Sequence, residues 1–97
     1  MFIIKLGGSV ITDKSKDAFF RTEIMNNLSK EIKKSKQQCI IIHGAGSFGH
    51  VLAKKYNLNK GFYDEDQLKG FSKTMEMVQI LNTKVIKSLN QNGLNSI

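Results

Sequence analysis

The chain has 97 residues, 40% of them hydrophobic and 24% charged, an ordinary globular composition of a length that holds one small domain with a limited core. No run of about 18 apolar residues occurs, which excludes a membrane-spanning helix. A formal net charge of +7 favours anionic partners such as nucleotides, phosphorylated small molecules or nucleic acid.

The opening MFIIKLGG has neither a basic n-region nor a small-residue cleavage site, so no signal peptide is expected. Residues 2–6 (FIIKL) predict a short buried strand closed by Gly7-Gly8. Residues 12–21 are polar and mixed and read as a loop. Thr22 is the expected N-cap of a helix over 22–36, with Met25, Leu28 and Ile32 at helical spacing. Lys30, Lys33, Lys34 and Lys36 read as its solvated face. Residues 39–43 (CIIIH) predict a second buried strand, broken by Gly44-Ala45-Gly46. Its Cys39 reads as a buried, inert thiol. With no second cysteine for a disulfide, a reducing cytoplasm is the expected setting.

Ser47 to Tyr56 reads as a helix opening from the second glycine loop, followed by a polar connection over 57–66. Leu68, Phe71, Met75, Val78, Val85 and Leu89 recur at helical steps and predict a long helix with an apolar stripe. Asp64 and Asp66 stand at its start, where carboxylates complement the helix dipole, and Asn92-Gly93 ends it. Residues 95–97 read as the entrance to another strand. Strands alternating with helices imply an α/β fold, a mostly parallel sheet covered by helices. Such a fold needs more than two short strands, so the chain reads as a fragment.

Two loops carry candidate chemistry. Lys5-Leu6-Gly7-Gly8-Ser9 follows the first strand, where glycines let backbone N–H groups approach phosphate oxygens. Lys5 and Lys14 add positive charge there. On the loop alone, a phosphate cradle and a plain sharp turn fit equally well. The second loop, His43-Gly44-Ala45-Gly46-Ser47-Phe48-Gly49-His50, lies between a strand and a helix N-terminus, a favoured anion position. It matches G-x-G-x-x-G, a weak signal alone, and no acidic residue follows at a strand end to hold a ribose. A dinucleotide fold is therefore disfavoured. His50, in the first turn of the following helix, either donates to a bound phosphate or merely solvates the helix start. His43 reads as a satisfied structural residue. Two histidines without further ligands make no metal site. There is no G-x-x-x-x-G-K-[ST] stretch, so this is no P-loop enzyme, and no HRD or DFG pattern, so no protein kinase.

KLGGSVITDK at 5–14 together with IIIHGAGSFGHVLAKKY at 40–56 resembles the amino acid kinase superfamily. Within it, G-A-G-S-F-G-H followed by Lys69-Gly70-Phe71 on a long helix resembles the isopentenyl phosphate kinases. The resemblance implies a three-layer α/β/α sandwich, of which residues 1–97 are the N-terminal, phosphate-acceptor side, with the C-terminal nucleotide-binding part absent. It implies ATP-dependent conversion of isopentenyl phosphate to isopentenyl diphosphate, in an alternative mevalonate route to isoprenoids. Lys5, Leu6, Gly7, Gly8, Ser9 and Gly46 match ATP contacts. Ala45, Gly46 and His50 match substrate contacts. Lys14, His50 and Lys5 match the catalytic set, Lys14 steadying the transition state and His50 binding the acceptor phosphate. Transfer would be direct and in line, with Mg²⁺ on the ATP and no protein metal site.

Several family members have proline after that histidine; here it is Val51, which leaves the helix start less pre-set. The resemblance further implies a homodimer when full length and a fragment that is inactive alone; no membrane partner is expected without an apolar span, and no nucleic-acid partner without a recognisable binding pattern. Phe71, Met75 and Val78 either pack in the core or line a pocket for the isoprenoid tail, with core packing the expected use. Two other readings stay open. One is another small-molecule kinase of the same fold, of fosfomycin or acetylglutamate type. The other is a non-catalytic anion-binding module, against which the few aromatics are not interleaved with basic residues.

Overall fold

The β-branched runs at 2–6 and 39–43 form strands β1 (Phe2–Leu6) and β2 (Cys39–His43), as the sequence predicts, but they are not the buried strands expected: only one face of each turns to the core. They pair in parallel with Phe2 opposite Cys39 and Leu6 opposite His43. In the computed structural model, which describes residues 1–61 and 64–97, the helices are α1 (Gly8–Ile11), α2 (Thr22–Ser35), α3 (His50–Lys55) and α4 (Glu65–Gln91). Short 3₁₀ turns at Gly46–Phe48 and Leu58–Lys60 flank α3. Among the described residues no helix is long and apolar enough to cross a membrane.

The strand pleat separates the two sheet faces. Leu6, Ile4 and Ile41 turn inward, where Met25 and Ile32 of α2 and Leu81, Val85 and Leu89 of α4 complete the core. The outward face stays bare, with Ile3 69% exposed and Ile40 and Ile42 each 49% exposed. The expected parallel sheet with helices is therefore present, with helices covering one face. Beside this apolar packing, a polar seam also joins α2 to α4. Ser29 donates to Met25 O at 2.8 Å and Ser88 donates to Asn26 Oδ1 at 2.6 Å, and the two serine hydroxyls lie 3.2 Å apart. Among the described residues no buried side-chain nitrogen or oxygen lacks a partner, so this seam avoids the penalty of orphaned polar groups.

Several sequence expectations are corrected. Residues 8–11 are a one-turn helix, too short for periodicity to announce. Thr22 is the first residue of α2 rather than its cap; Arg21 holds that position. The helix expected over 47–56 is a 3₁₀ turn, an interruption at Gly49 and then α3. Residues 95–97 form no strand; the Ser96 N–H donates to Asn90 Oδ1 at 3.1 Å instead. Cys39 is half-buried at the core's edge rather than fully enclosed. The lysines of α2 are exposed as expected, although Lys33 also donates to Gly93 O at 3.0 Å. Of the connection expected over 57–66, residues 62 and 63 lie outside the described residues.

The apolar stripe of α4 divides. Val85 and Leu89 are buried, but Leu68, Phe71 and Met75 are 55%, 40% and 65% exposed. Core packing is therefore not their use within this chain. The C-terminal half of the helix crosses the core, whereas its N-terminal half meets α3 and the turn beside it. At its start, Asp64 accepts the Gln67 N–H at 3.0 Å while Gln67 Oε1 accepts the Asp64 N–H at 3.4 Å, a reciprocal capping box. The buried Gln67 amide also donates to Asn57 O and Gly61 O, tying the end of α3 to the start of α4.

Gly70 sets how closely α4 approaches α3. A Cβ there would fall 2.4 Å from Tyr56 Cγ and 2.6 Å from Tyr56 Cβ. In a free helix, alanine would improve on glycine by about 1 kcal/mol. Here the obstacle includes the Tyr56 Cβ, which no rotamer change can move, so overpacking of about 1–3 kcal/mol prevails. Gly70→Ala is expected to lower the thermal midpoint by several degrees. A raised midpoint would mean that α3 gives way.

Candidate active site

β1 and β2 run in parallel, so both strands deliver their following glycine loops to the same edge of the sheet. There the loops touch backbone to backbone. A Cβ on Gly8 would lie 2.5 Å from Gly46 N, and one on Gly44 would lie 3.3 Å from Gly8 N. Side chains on either loop would force them apart, which is why small residues occupy both. Gly46 also takes φ +51°, a left-handed conformation that favours glycine.

An open cleft of about 410 Å³ lies over this junction. Gly8, Ala45, Gly46, Lys14 and His50 line it, bringing together residues from both predicted loops. Lys14 is carried by a strap over residues 13–20. The strap is closed by Asp13 N–H donating to Phe19 O at 3.0 Å and by a Thr12–Phe20 bridge. Inside it, the Ser15 hydroxyl and backbone N–H both donate to Asp13 Oδ1, at 2.6 and 2.9 Å. Those bonds, with help from Arg21 and Lys16, hold the Asp13 carboxyl below its ordinary value. A depressed carboxylate adds its support at neutral pH and loses it as pH falls through the lowered value, so the strap's turn stays ionised across the physiological range.

Among the described residues no carboxylate lines the cleft, while a lysine and a histidine do. A second hollow of about 340 Å³ continues beyond His50, edged by Lys54 and Lys60. The whole concavity thus suits an anion. His50 is exposed at the first position of α3. His43 is held by Gly44 O at 3.0 Å and Asn82 Oδ1 at 2.9 Å, a satisfied structural residue as its sequence context predicts.

Four of the proposed site residues stand apart from the cleft. Lys5 lies on the bare outward face of the sheet, opposite Ile42. Leu6 is a buried residue of the apolar core. Gly7 caps α1, and Ser9 is exposed on it. Conversely, Ala53, Gly49 and Thr74 line the cleft without having been singled out as site residues. Thr74 comes from α4, 24 or more residues beyond the loops, and nothing in its local pattern marks it. Gly49 allows that approach, since a Cβ there would meet Ala45 Cβ at 3.0 Å and Thr74 Cγ2 at 3.6 Å. Among the described residues no group of three His, Cys, Asp or Glu is arranged to hold a metal.

The sequence profile of the amino acid kinase family matches residues 1–97 throughout. The chain belongs to the amino acid kinase family. Among its relatives in that family, the isopentenyl phosphate kinase of Methanothermobacter thermautotrophicus is 36% identical over 103 aligned residues, covering all of this chain and 39% of the relative. That of Thermoplasma acidophilum is 33% identical over 97 residues, again covering all of this chain and 39% of the relative. The crystal structure of the T. acidophilum isopentenyl phosphate kinase product complex superposes with a TM-score of 0.89 at 33% identity, over 96% of this chain and 39% of that one. An isopentenyl phosphate kinase substrate complex gives 0.85 at 31% identity, over 96% of this chain and 40% of that one. The chain thus spans about two fifths of the length of the amino acid kinases it matches.

Proposed function

We propose that residues 1–97 form the N-terminal, acceptor side of a single kinase domain that transfers the γ-phosphoryl group of ATP to isopentenyl phosphate, yielding isopentenyl diphosphate. The observation that carries this reading is the cleft over the joined glycine loops, positively charged through Lys14, with His50 as a further hydrogen-bonding group and no carboxylate among the described residues that line it. The relatives named as isopentenyl phosphate kinases add their support. An acceptor phosphate oxygen attacks the γ-phosphorus, and the bond from that phosphorus to the β–γ bridging oxygen breaks. Such transfer depends on positioning and on neutralising spread negative charge. Lys14 does the neutralising, and His50 donates to the acceptor phosphate. Gly8 and Gly46, which line the cleft, are assigned to the ATP phosphates, and Ala45 with Gly46 and His50 to the acceptor; Lys5, Leu6, Gly7 and Ser9, which stand outside this cleft, are assigned to the ATP phosphates only where the nucleotide extends beyond it. In this assignment Leu6 and Gly7 contribute backbone only.

The cleft suits a nucleotide's phosphates, because its glycine walls leave room and its charge is complementary. Among the described residues that line it there is no carboxylate ligand for Mg²⁺; in this proposal the ion comes with the phosphate oxygens of ATP, where it would supply further charge neutralisation. Kinship with the family extends the proposal to a cytoplasmic homodimer acting on small molecules.

The test is ATP-dependent conversion of isopentenyl phosphate by the protein as expressed from its own gene, with fosfomycin and acetylglutamate as rival acceptors. His50→Ala removes one charge-assisted hydrogen bond, worth about 1.5–3 kcal/mol. It is expected to lower kcat/KM for isopentenyl phosphate about 10- to 100-fold. Turnover of a rival acceptor alone would move the substrate, and an unaffected His50→Ala enzyme would remove the histidine from the site.

A further inference from the structure

Two buried hydroxyls beneath the cleft are used by neither the apolar core nor the proposed phosphate contacts. Thr12 is fully buried and Ser47 is 2% exposed. Burying a hydroxyl is unfavourable unless it is hydrogen-bonded, and each of these bonds the backbone of another segment. Thr12 Oγ1 donates to Gly8 O in the first glycine loop and accepts the Ser47 N–H at 3.0 Å in the second. It also fills the space beside Gly46, since a Cβ on that glycine would fall 2.0 Å from Thr12 Oγ1. Ser47 Oγ accepts the Phe19 N–H at 3.1 Å, and Ser47 O accepts the Ala18 N–H at 3.1 Å. Ala18 takes φ +47°, an uncommon conformation for a residue with a side chain. It is held there between these bonds. Through two hydroxyls, the two glycine loops and the strap that carries Lys14 become one rigid piece.

We propose that Thr12 and Ser47 are positioning residues. Thr12 fixes the spacing of the two glycine loops, and Ser47 fixes the Lys14 strap on the second of them. Neither touches the substrate. The proposal rests on the kinase reading for its catalytic consequence, but its structural consequence is independent of that reading. A displacement of about 1 Å in a reacting geometry is enough for a 100-fold loss in rate. The effect therefore falls on kcat, because the reacting groups are misaligned while the contacts that bind the acceptor persist.

The experiment compares Thr12→Val, Thr12→Ser and Ser47→Ala in the protein as expressed from its own gene. Two readouts are taken, steady-state kinetics and the rate of tryptic cleavage at Lys14 and Lys16 under native conditions. Thr12→Val is expected to lower kcat about 10- to 100-fold with KM for isopentenyl phosphate within about threefold. Thr12→Ser, which keeps the hydroxyl, is expected to restore most of it. Ser47→Ala removes the acceptor of the Phe19 N–H while disturbing little else. It is expected to speed cleavage of the strap about tenfold, as one hydrogen bond of about 1.4 kcal/mol is lost. Equal kcat for Thr12→Val and Thr12→Ser, or an unchanged cleavage rate in Ser47→Ala, would overturn the proposal. If the unaltered protein phosphorylates no isopentenyl phosphate, the kinase reading fails, and the cleavage rates still decide whether Ser47 anchors the strap.

Discussion

Gly46→Ala is expected to lower the unfolding free energy by about 3 kcal/mol and to part the two glycine loops. Two effects add. At φ +51° a side chain costs about 1–2 kcal/mol of backbone strain. The new Cβ would also lie 2.0 Å from Thr12 Oγ1, 2.5 Å from Gly8 O and 3.0 Å from Gly8 C. Thr12 is fully buried and cannot retreat, and the Gly8 atoms are backbone, so the loops must separate, at about 1–3 kcal/mol. Gly93→Ala is the comparison. Gly93 also has positive φ, +88°, but its Cβ would meet nothing closer than the flexible Lys33 chain at 3.4 Å. Urea unfolding of both variants separates the backbone share from the steric share. Equal losses would show that the loops part without resistance.

Lys14→Met is expected to lower kcat for isopentenyl phosphate about 10²- to 10³-fold, the loss seen when one charge-stabilising donor is removed from a transition state. Its effect on stability should stay within about 0.5 kcal/mol. Lys14 is exposed, and among the described residues it makes no ion pair. Its strap is held by the Asp13–Phe19 and Ser47–Ala18 backbone bonds, none of which uses the lysine side chain. Methionine keeps the length of the stem and removes only the charge. The same fall in kcat accompanied by a several-degree fall in the thermal midpoint would make Lys14 a structural residue and remove it from the chemistry.

What could be read in advance follows physical range. Both strands were legible because β-branched runs stop at glycines, and both glycine loops because they end those strands. The end of α4 was legible at Asn92-Gly93. Its capping box is present in the sequence as Asp64 followed three residues later by Gln67, a pattern as direct as the dipole charge that Asp64 supplies. Lys5 illustrates a neglected signal. If Leu6 faces the core, strand alternation turns Lys5 to the opposite side, and that is where it lies. The exposure of Leu68, Phe71 and Met75 was not legible, because periodicity reveals a stripe but not whether a neighbour reaches it. Thr12 and Ser47 were equally hidden. Their hydrogen bond spans 35 residues, and no local pattern records a partner that distant.

The parallel pairing of β1 with β2 has a consequence for how the chain reaches this state. Phe2 must find Cys39, which closes a loop of about 37 residues at an entropic cost of about 3 kcal/mol. The helices, whose bonds join residues four apart, face no such barrier. The sheet, and the glycine loops hanging from its ends, should therefore be among the last parts to order. Because the cleft over those loops exists only once that closure is complete, an anion bound there would select the fully folded chain. Its concentration then sets the apparent stability of the whole molecule through mass action.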